Sequence, residues 1–306
     1  MASGQKSPLF SRHQPGGVFT VVDEANFTTG NVWFVDSGSA TGADSVGAGR
    51  NPDKPFLTID YAVGQCTANN GDYIIVMPGH AETVALAAGL ALDVAGITVK
   101  GLGRGTDQPT ITLTLDTADV DVDAANITVE NIHFVANYAD IAAAIDVNAT
   151  DFTLRNCRFS EAATDMNALI WVQDALAAAS DRITIENCHA IALDAANTHF
   201  VNFSGTGSGH VVRNNILIGD WGTVCIGGAG IIINCAILDN RIYNVSASAE
   251  AAIHVADTAT GIVMGNMAGG TAAQAQGIGA TACALAENYY GDLGSDVSAI
   301  LEPVST

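Results

Sequence analysis

Short runs of alternating apolar and polar residues recur along this chain, and each run ends in asparagine or glycine. The clearest are Ile97-Thr-Val-Lys-Gly101, Ile127-Thr-Val-Glu-Asn131, Phe152-Thr-Leu-Arg-Asn156, Ile183-Thr-Ile-Glu-Asn187 and His210-Val-Val-Arg-Asn214. Fainter copies are Ala236-Ile-Leu-Asp-Asn240, Ile262-Val-Met-Gly-Asn266 and Ala284-Leu-Ala-Glu-Asn288. The closing residues are separated by 30, 25, 31, 27, 26, 26 and 22 positions. Period-2 alternation makes the residues four and two before each bend core-facing. A recurrent Asn or Gly predicts a left-handed residue at a sharp turn, a conformation these residues enter at least cost. Stacked Asn side chains can also hydrogen-bond along their column. A second strand precedes each bend, as in Ala144-Ile-Asp-Val147, Leu169-Ile-Trp-Val172, Phe200-Val-Asn-Phe203 and Ile253-His-Val255. Two or three short strands per ~26 residues, stacked in register, define a solenoid. The predicted fold is all-β, a right-handed single-stranded parallel β-helix of about eight coils, roughly 40 Å long at ~4.8 Å per coil.

The pattern changes towards the N-terminus. Residues 32–36 predict a first strand, followed by a Gly/Ser/Asp-rich loop to Lys54-Pro55. Phe56, Ile59, Val63 and Cys66 then fall at helical spacing, which predicts a short helix able to cover the open end of the stack. Asn69-Asn70-Gly71 ends it. The chain thus divides into an extended arm (1–30), an opening strand, loop and capping helix (31–72), the β-helix (73–290) and a tail (291–306). The first 22 residues hold no acid, two cations (Lys6 and Arg12) and the apolar pairs Leu9-Phe10 and Val18-Phe19. This segment reads either as a frayed end or as an attachment arm lying on a neighbouring subunit or partner.

Aligning the copies on their final Asn or Gly generates surface columns. The residue before the bend runs Lys100, Glu130, Arg155, Glu186, Arg213, Asp239, alternating in sign, which favours pairing of adjacent strands. The residue three before the bend runs Thr98, Thr128, Thr153, Thr184 and then Val211, Ile237, Val263, Leu285. Beyond the bend, His133, Arg158 and His189 give way to Ile216 and Ile242. An outward face that turns apolar predicts burial against something. The expected contact is with further copies of the chain, most simply a homotrimer about a shared axis. A C-terminal segment folded back over the stripe is the alternative.

Composition narrows the partners. The chain has 306 residues, 32 acidic and 11 basic, for a net charge of −21. Such a body repels phosphate backbones, which argues against nucleic acid. No run of 18 apolar residues is present, so no membrane-spanning helix is expected, and the N-terminus lacks the layout of a signal peptide. The six cysteines form no CxxC pair and no metal-ligand spacing, and read as buried thiols.

The stretches Val35-Asp-Ser, Asn51-Pro-Asp-Lys-Pro-Phe-Leu-Thr-Ile-Asp60, Gly71-Asp-Tyr-Ile-Ile-Val-Met-Pro-Gly79 and Ile97-Thr-Val-Lys-Gly-Leu-Gly103 resemble the opening segment of pectate-lyase-like right-handed β-helices. In that group Pro-Phe-x-Thr-Ile opens the capping helix and Gly-Asp-x-Ile-x-Val-x-Pro-Gly the first coil. The resemblance covers about residues 32–290 and implies fold more than function. Many proteins with this opening are bacteriophage virion components. The resemblance therefore implies a virion protein assembled in the host cytoplasm, a small capsid-decoration or head-spike trimer held by its arm to the major capsid protein or another virion protein. The alternative it implies is a tailspike-like receptor-binding protein or polysaccharide depolymerase acting on a host surface glycan.

For that alternative the candidate residues lie on the strand preceding each bend. Asp93, Asp121, Asp146, Trp171, Asn202 and His254 fall at comparable slots. Asp121 and Asp146 could form an acid/base pair, with Trp171 as a sugar-stacking platform. An acidic, solvated strand face is the simpler account. No Arg or Lys falls near these slots, and no lyase or polygalacturonase signature is found. The expectation is therefore a protein without cofactor or metal. Ca²⁺ is the one ion these carboxylates, or Asp36, Ser39 and Asp44 in the first loop, could hold.

Overall fold

A computed structural model describes residues 10–12, 19–21, 28, 30–174, 180–246, 251–270, 277–280, 282–292 and 298–301. The chain winds into a right-handed parallel β-solenoid whose three sheets run along its length. The first sheet contains Val32–Val35, Tyr73–Val76, Thr98–Gly101, Thr128–Glu130, Thr153–Arg155, Thr184–Glu186, Val211–Arg213, Cys235–Leu238, Gly261–Met264 and Ala284–Ala286. The second begins at Ala81–Val84, includes His133–Ala136, Arg158–Glu161, His189–Ala192, Ile216–Gly219, Arg241–Asn244 and Met267–Gly270, and ends on Asn288–Asp292. There Ser298–Leu301 pairs antiparallel with its last parallel strand. The third runs from Leu90–Leu92 through Val120–Val122, Ile145–Val147, Ile170–Asp174, His199–Asn202, Ile226–Gly228 and Ile253–Val255 to Ile278–Gly279.

The predicted alternation sets what each sheet buries. Ile127, Phe152 and Ile183 are inside, as are Val129, Leu154 and Ile185. Aromatic rings from the second and third sheets fill the middle coils. Phe134 stacks on Phe159 with centroids 5.2 Å apart, and Phe159 meets Trp171 and Phe200 edge-on. The capping helix is Ile59–Val63, with Thr58 Oγ1 accepting from the Tyr61 N–H and with Ile59, Ala62 and Val63 buried. Beside it, fully buried Asp72 accepts from the Asn31 N–H, Asn31 Nδ2, Thr67 N–H and Asn70 Nδ2, tying the first strand to the cap.

The asparagines divide into two columns where the sequence predicts one. Asn131, Asn156, Asn187 and Asn214 have φ of 57°, 56°, 54° and 56° and make the bend between the first and second sheets. In the next coils the bend residue is Asp239, Gly265 and Glu287, with φ of 54°, 70° and 51°. Asn240, Asn266 and Asn288 stand one residue further, inside the solenoid with Asn215, and all four are fully buried. Gly101 is not left-handed; it ends a strand where a Cβ would lie 2.2 Å from the Asn131 carbonyl oxygen.

The inner four form a ladder. Asn215 Nδ2 donates to Asn240 Oδ1 at 2.9 Å, Asn240 Nδ2 to Asn266 Oδ1 at 3.0 Å, and Asn266 Nδ2 to Asn288 Oδ1 at 3.0 Å. Each Nδ2 also donates to a carbonyl of a preceding coil. The Cys188 N–H donates to Asn215 Oδ1 where the ladder starts. In earlier coils the same inner slot holds Cys188, Cys157 and Ile132. All six cysteines are free thiols, and burial pushes the Cys188 and Cys225 thiols well above their ordinary range.

This shift of one residue corrects the predicted surface columns, because a one-residue slip exchanges core and surface. Val211 pairs with Ala236, Ala236 with Ile262, and Ile262 with Ala284. Ile237 and Val263 are therefore core residues at 0% exposure, and Leu285 packs partly buried against the core. Ile216 does face outward, but its neighbour is Arg241, and Ile242 is buried. The charge column holds for Lys100, Glu130, Arg155, Glu186 and Arg213, with ion pairs Lys100–Glu130, Arg155–Glu130 and Arg213–Glu186. Its sixth position is Leu238, since Asp239 makes the bend.

Candidate functional site

The third sheet holds the candidate site. Its outward column reads Ala91, Asp121, Asp146, Gln173, Asn202, Gly227, His254 and Gly279. Asp121 and Asp146 are register partners on adjacent coils, as the repeat spacing predicts. Asp93 lies outside the column, whose first member is Ala91. Trp171 is not a platform: it is fully buried against Phe159, and Gln173 takes the outward slot. The reason is local. Trp171 stands two residues before the outward Gln173, as Ala144 stands before Asp146 and Phe200 before Asn202, and all three are buried.

The carboxylates crowd one another. Burial raises Asp121, with Asp123 adding repulsion, while Asn148 Nδ2 donates to Asp121 Oδ1 at 2.7 Å. Asp146 is pushed up to about 6, first by burial and then by Asp121, Asp119, Asp123 and Asp174. Its Oδ1 is buried without a hydrogen-bond partner. Asp119 is also raised, mainly by burial. Two crowded carboxyls, both raised by burial and by their acidic neighbours, are the chemical minimum for paired acid/base work. No cation completes it: the described strands of the third sheet contain no Arg or Lys.

Further along this sheet His199, Asn202, Thr223, Gly228, His254 and Asp257 line an open cleft of about 730 Å³. Burial lowers His199 to about 4, so its imidazole is neutral near neutral pH. A Cβ on Gly228 would lie 2.3 Å from the Phe203 carbonyl oxygen, so the floor there is bare backbone. Asn202 and His254 were legible from their spacing. Thr223 and Asp257 come from connecting turns, where no period marks them.

The loop carboxylates are already occupied. Asp36 Oδ1 accepts from the Gly38 N–H, and Asp44 accepts from the Leu57 N–H, Thr58 N–H and Thr58 Oγ1. Among the described residues no cluster of three or more His, Cys, Asp or Glu side chains could hold a metal ion. In the arm, Lys6, Leu9 and Val18 lie outside the described residues. Phe10–Arg12 pairs antiparallel with Phe19–Val21, so the segment doubles back as a two-stranded ribbon. No described helix is long and apolar enough to cross a membrane.

No protein family and no curated protein matches the sequence. Among solved structures the chain is similar to the pectin methylesterase from Aspergillus niger, with TM-score 0.54 and 18% identity over 90% of this chain and 93% of that one. The deglycosylated form of the same enzyme gives 0.52 and 17% over the same shares. The Escherichia coli protein ybhc gives 0.50 and 12% over 93% and 91%. Likeness at this identity shows the fold alone: the chain is a parallel β-helix protein. The fold is one it shares with that pectin methylesterase.

Proposed function

We propose that the protein is a non-enzymatic structural component of a bacteriophage particle. On this reading it is a trimeric capsid-decoration or head-spike β-helix, carried on the virion by its N-terminal arm through the major capsid protein or another virion protein. The observation that carries the reading is an apolar ridge around the bend of the later coils. Ile262 (48% exposed) and Met264 (37%) lie on the first-sheet side, and Ile216 (43%), Met267 (52%) and Tyr289 (48%) on the second-sheet side, with Arg241 between Ile216 and Met267. Soluble surfaces seldom keep such a patch uncovered. A ridge on one edge of an elongated body suits rotational association, in which three edges converge. The resemblance of the opening segment to virion β-helices supplies the biological setting.

The test is the mass of the full chain in solution by light scattering. A trimer is expected, and Ile262→Asp with Met267→Asp should yield folded monomers. A monomeric parent chain sinks the proposal. Deleting residues 2–22 should preserve the solenoid and its trimer while abolishing attachment to particles.

A second reading, a glycan depolymerase or receptor-binding spike, is favoured by the raised Asp146 beside Asp121. It expects release of sugar ends from host polysaccharide, lost in Asp146→Asn. The absence of Arg and Lys from the described strands of that sheet and the burial of Trp171 weigh against it.

A further inference from the structure

The second sheet carries a guanidinium stacked between two imidazoles, with no acid in its column. Its outward column places His133, Arg158 and His189 in direct register on three successive coils. Across the bend, the first sheet solves the same problem by alternation, with Glu130 between Lys100 and Arg155, and Glu186 paired with Arg213. The second sheet has no such acid. Among the described residues no carboxylate pairs with the Arg158 guanidinium, in a chain where acids outnumber bases 32 to 11. The acid nearest in sequence, Glu161, is committed to the Leu193 N–H, Asp194 N–H and Asn197 Nδ2. All three stacked side chains are half-buried. The Ser160 hydroxyl stands beside them, 2.8 Å from His133 Nε2. Burial, and then the Arg158 charge, lowers both imidazoles, His133 to about 4.

We infer that His133, Arg158, His189 and Ser160 form a binding site for a small oxyanion, a carboxylate or sulfate group, free or borne on a sugar. Arg158 supplies the fixed charge and a planar pair of donors. The two imidazoles and the serine hydroxyl add neutral hydrogen bonds above, below and beside it. The protein's overall negative charge repels anions elsewhere, which makes this stretch selective. The site lies on a different sheet from the Asp121–Asp146 pair and does not depend on the proposed virion role.

The test is a titration of the full chain at constant pH and ionic strength, following histidine side-chain resonances by NMR. Sodium sulfate and sodium galacturonate are the probes, with sodium chloride as the balance. The expected result is saturable movement of His133 and His189, with His80, His210 and His254 still. Arg158→Gln should weaken saturation by about tenfold or more, and Arg158→Lys should restore part of it. His189→Gln, which keeps the charge, checks the site should Arg158→Gln fold poorly; it should weaken saturation less. Saturation by galacturonate but not sulfate assigns a carboxylate ligand, and the reverse a sulfate ligand. Linear shifts shared by all histidines, saturation unchanged in Arg158→Gln, or shifts that follow chain concentration without added anion overturn the inference.

Discussion

The early and late coils make the same bend with opposite chemistry. From Asn131 to Asn187 the inner slot after the bend is apolar or thiol, filled by Ile132, Cys157 and Cys188, and the flanking surface is charged. From Asn215 onward the inner slot is amide, and the flanking surface becomes Leu238, Met264, Ile216 and Met267. Polarity moves inward and apolarity outward at one point, the Asn214-Asn215 dipeptide. The lesson is that a solenoid holds its winding by backbone pairing, which leaves the chemistry of each corner free to serve other ends. A fully satisfied polar column inside can accompany an apolar exterior without loss of order.

That contrast can be broken most severely from within. Replacing Asn240 by Leu removes a buried amide that donates to Asn266 Oδ1 and the Val212 carbonyl and accepts from Asn215 Nδ2 and the Asn215 N–H. Several buried groups lose their partners at once, so a destabilisation of about 3–5 kcal/mol is expected in urea unfolding. Cys157→Ala, in the apolar half of the same column, should cost about 1–2 kcal/mol. Equal losses would show the two halves to be alike.

The acidic face gives a smaller effect with opposite sign. Asp146 has a folded-state pKa near 6 against an unfolded value of 3.8. The native state therefore keeps a proton that the unfolded chain has released, and stability falls as pH rises from about 4 to 6. Asp146→Asn should flatten that window and raise stability at pH 7 by about 1 kcal/mol, the shift being discounted for solvent screening. A melt whose pH slope is the same in both proteins would remove Asp146 from the account. Smallest is Glu130→Gln, which leaves Lys100 and Arg155 facing each other without their shared carboxylate. A loss of about 0.5–1 kcal/mol is expected, fading in high salt.

Most of the winding was legible because Ile-Thr-Val-Glu-Asn and its relatives state both period and face. The later register was not, because two neighbouring positions accept asparagine for different reasons. The bend needs a residue at ease with positive φ, which Asp239 and Gly265 also provide. The inner slot needs a planar amide that donates and accepts at once. The pairs Asp239-Asn240, Gly265-Asn266 and Glu287-Asn288 carry the clue, since in each the bend residue comes first. Trp171 was misplaced for another reason: Leu169-Ile-Trp-Val172 is apolar throughout, so alternation has nothing to read. Of the candidate site, the Asp121–Asp146 pairing followed from spacing, whereas the crowding by Asp119 and Asp123 required the coil to be closed in space.

The reversed strand Ser298–Leu301 has a consequence for growth. A stack of parallel rungs ending in an open rung invites the next molecule to continue it, and head-to-tail addition of that kind yields fibrils. Here the last parallel rung, Asn288–Asp292, already pairs with a segment running the other way. A newcomer arriving in the solenoid's own direction finds a mismatched template on that sheet, so concentrating the protein should favour discrete bodies over filaments.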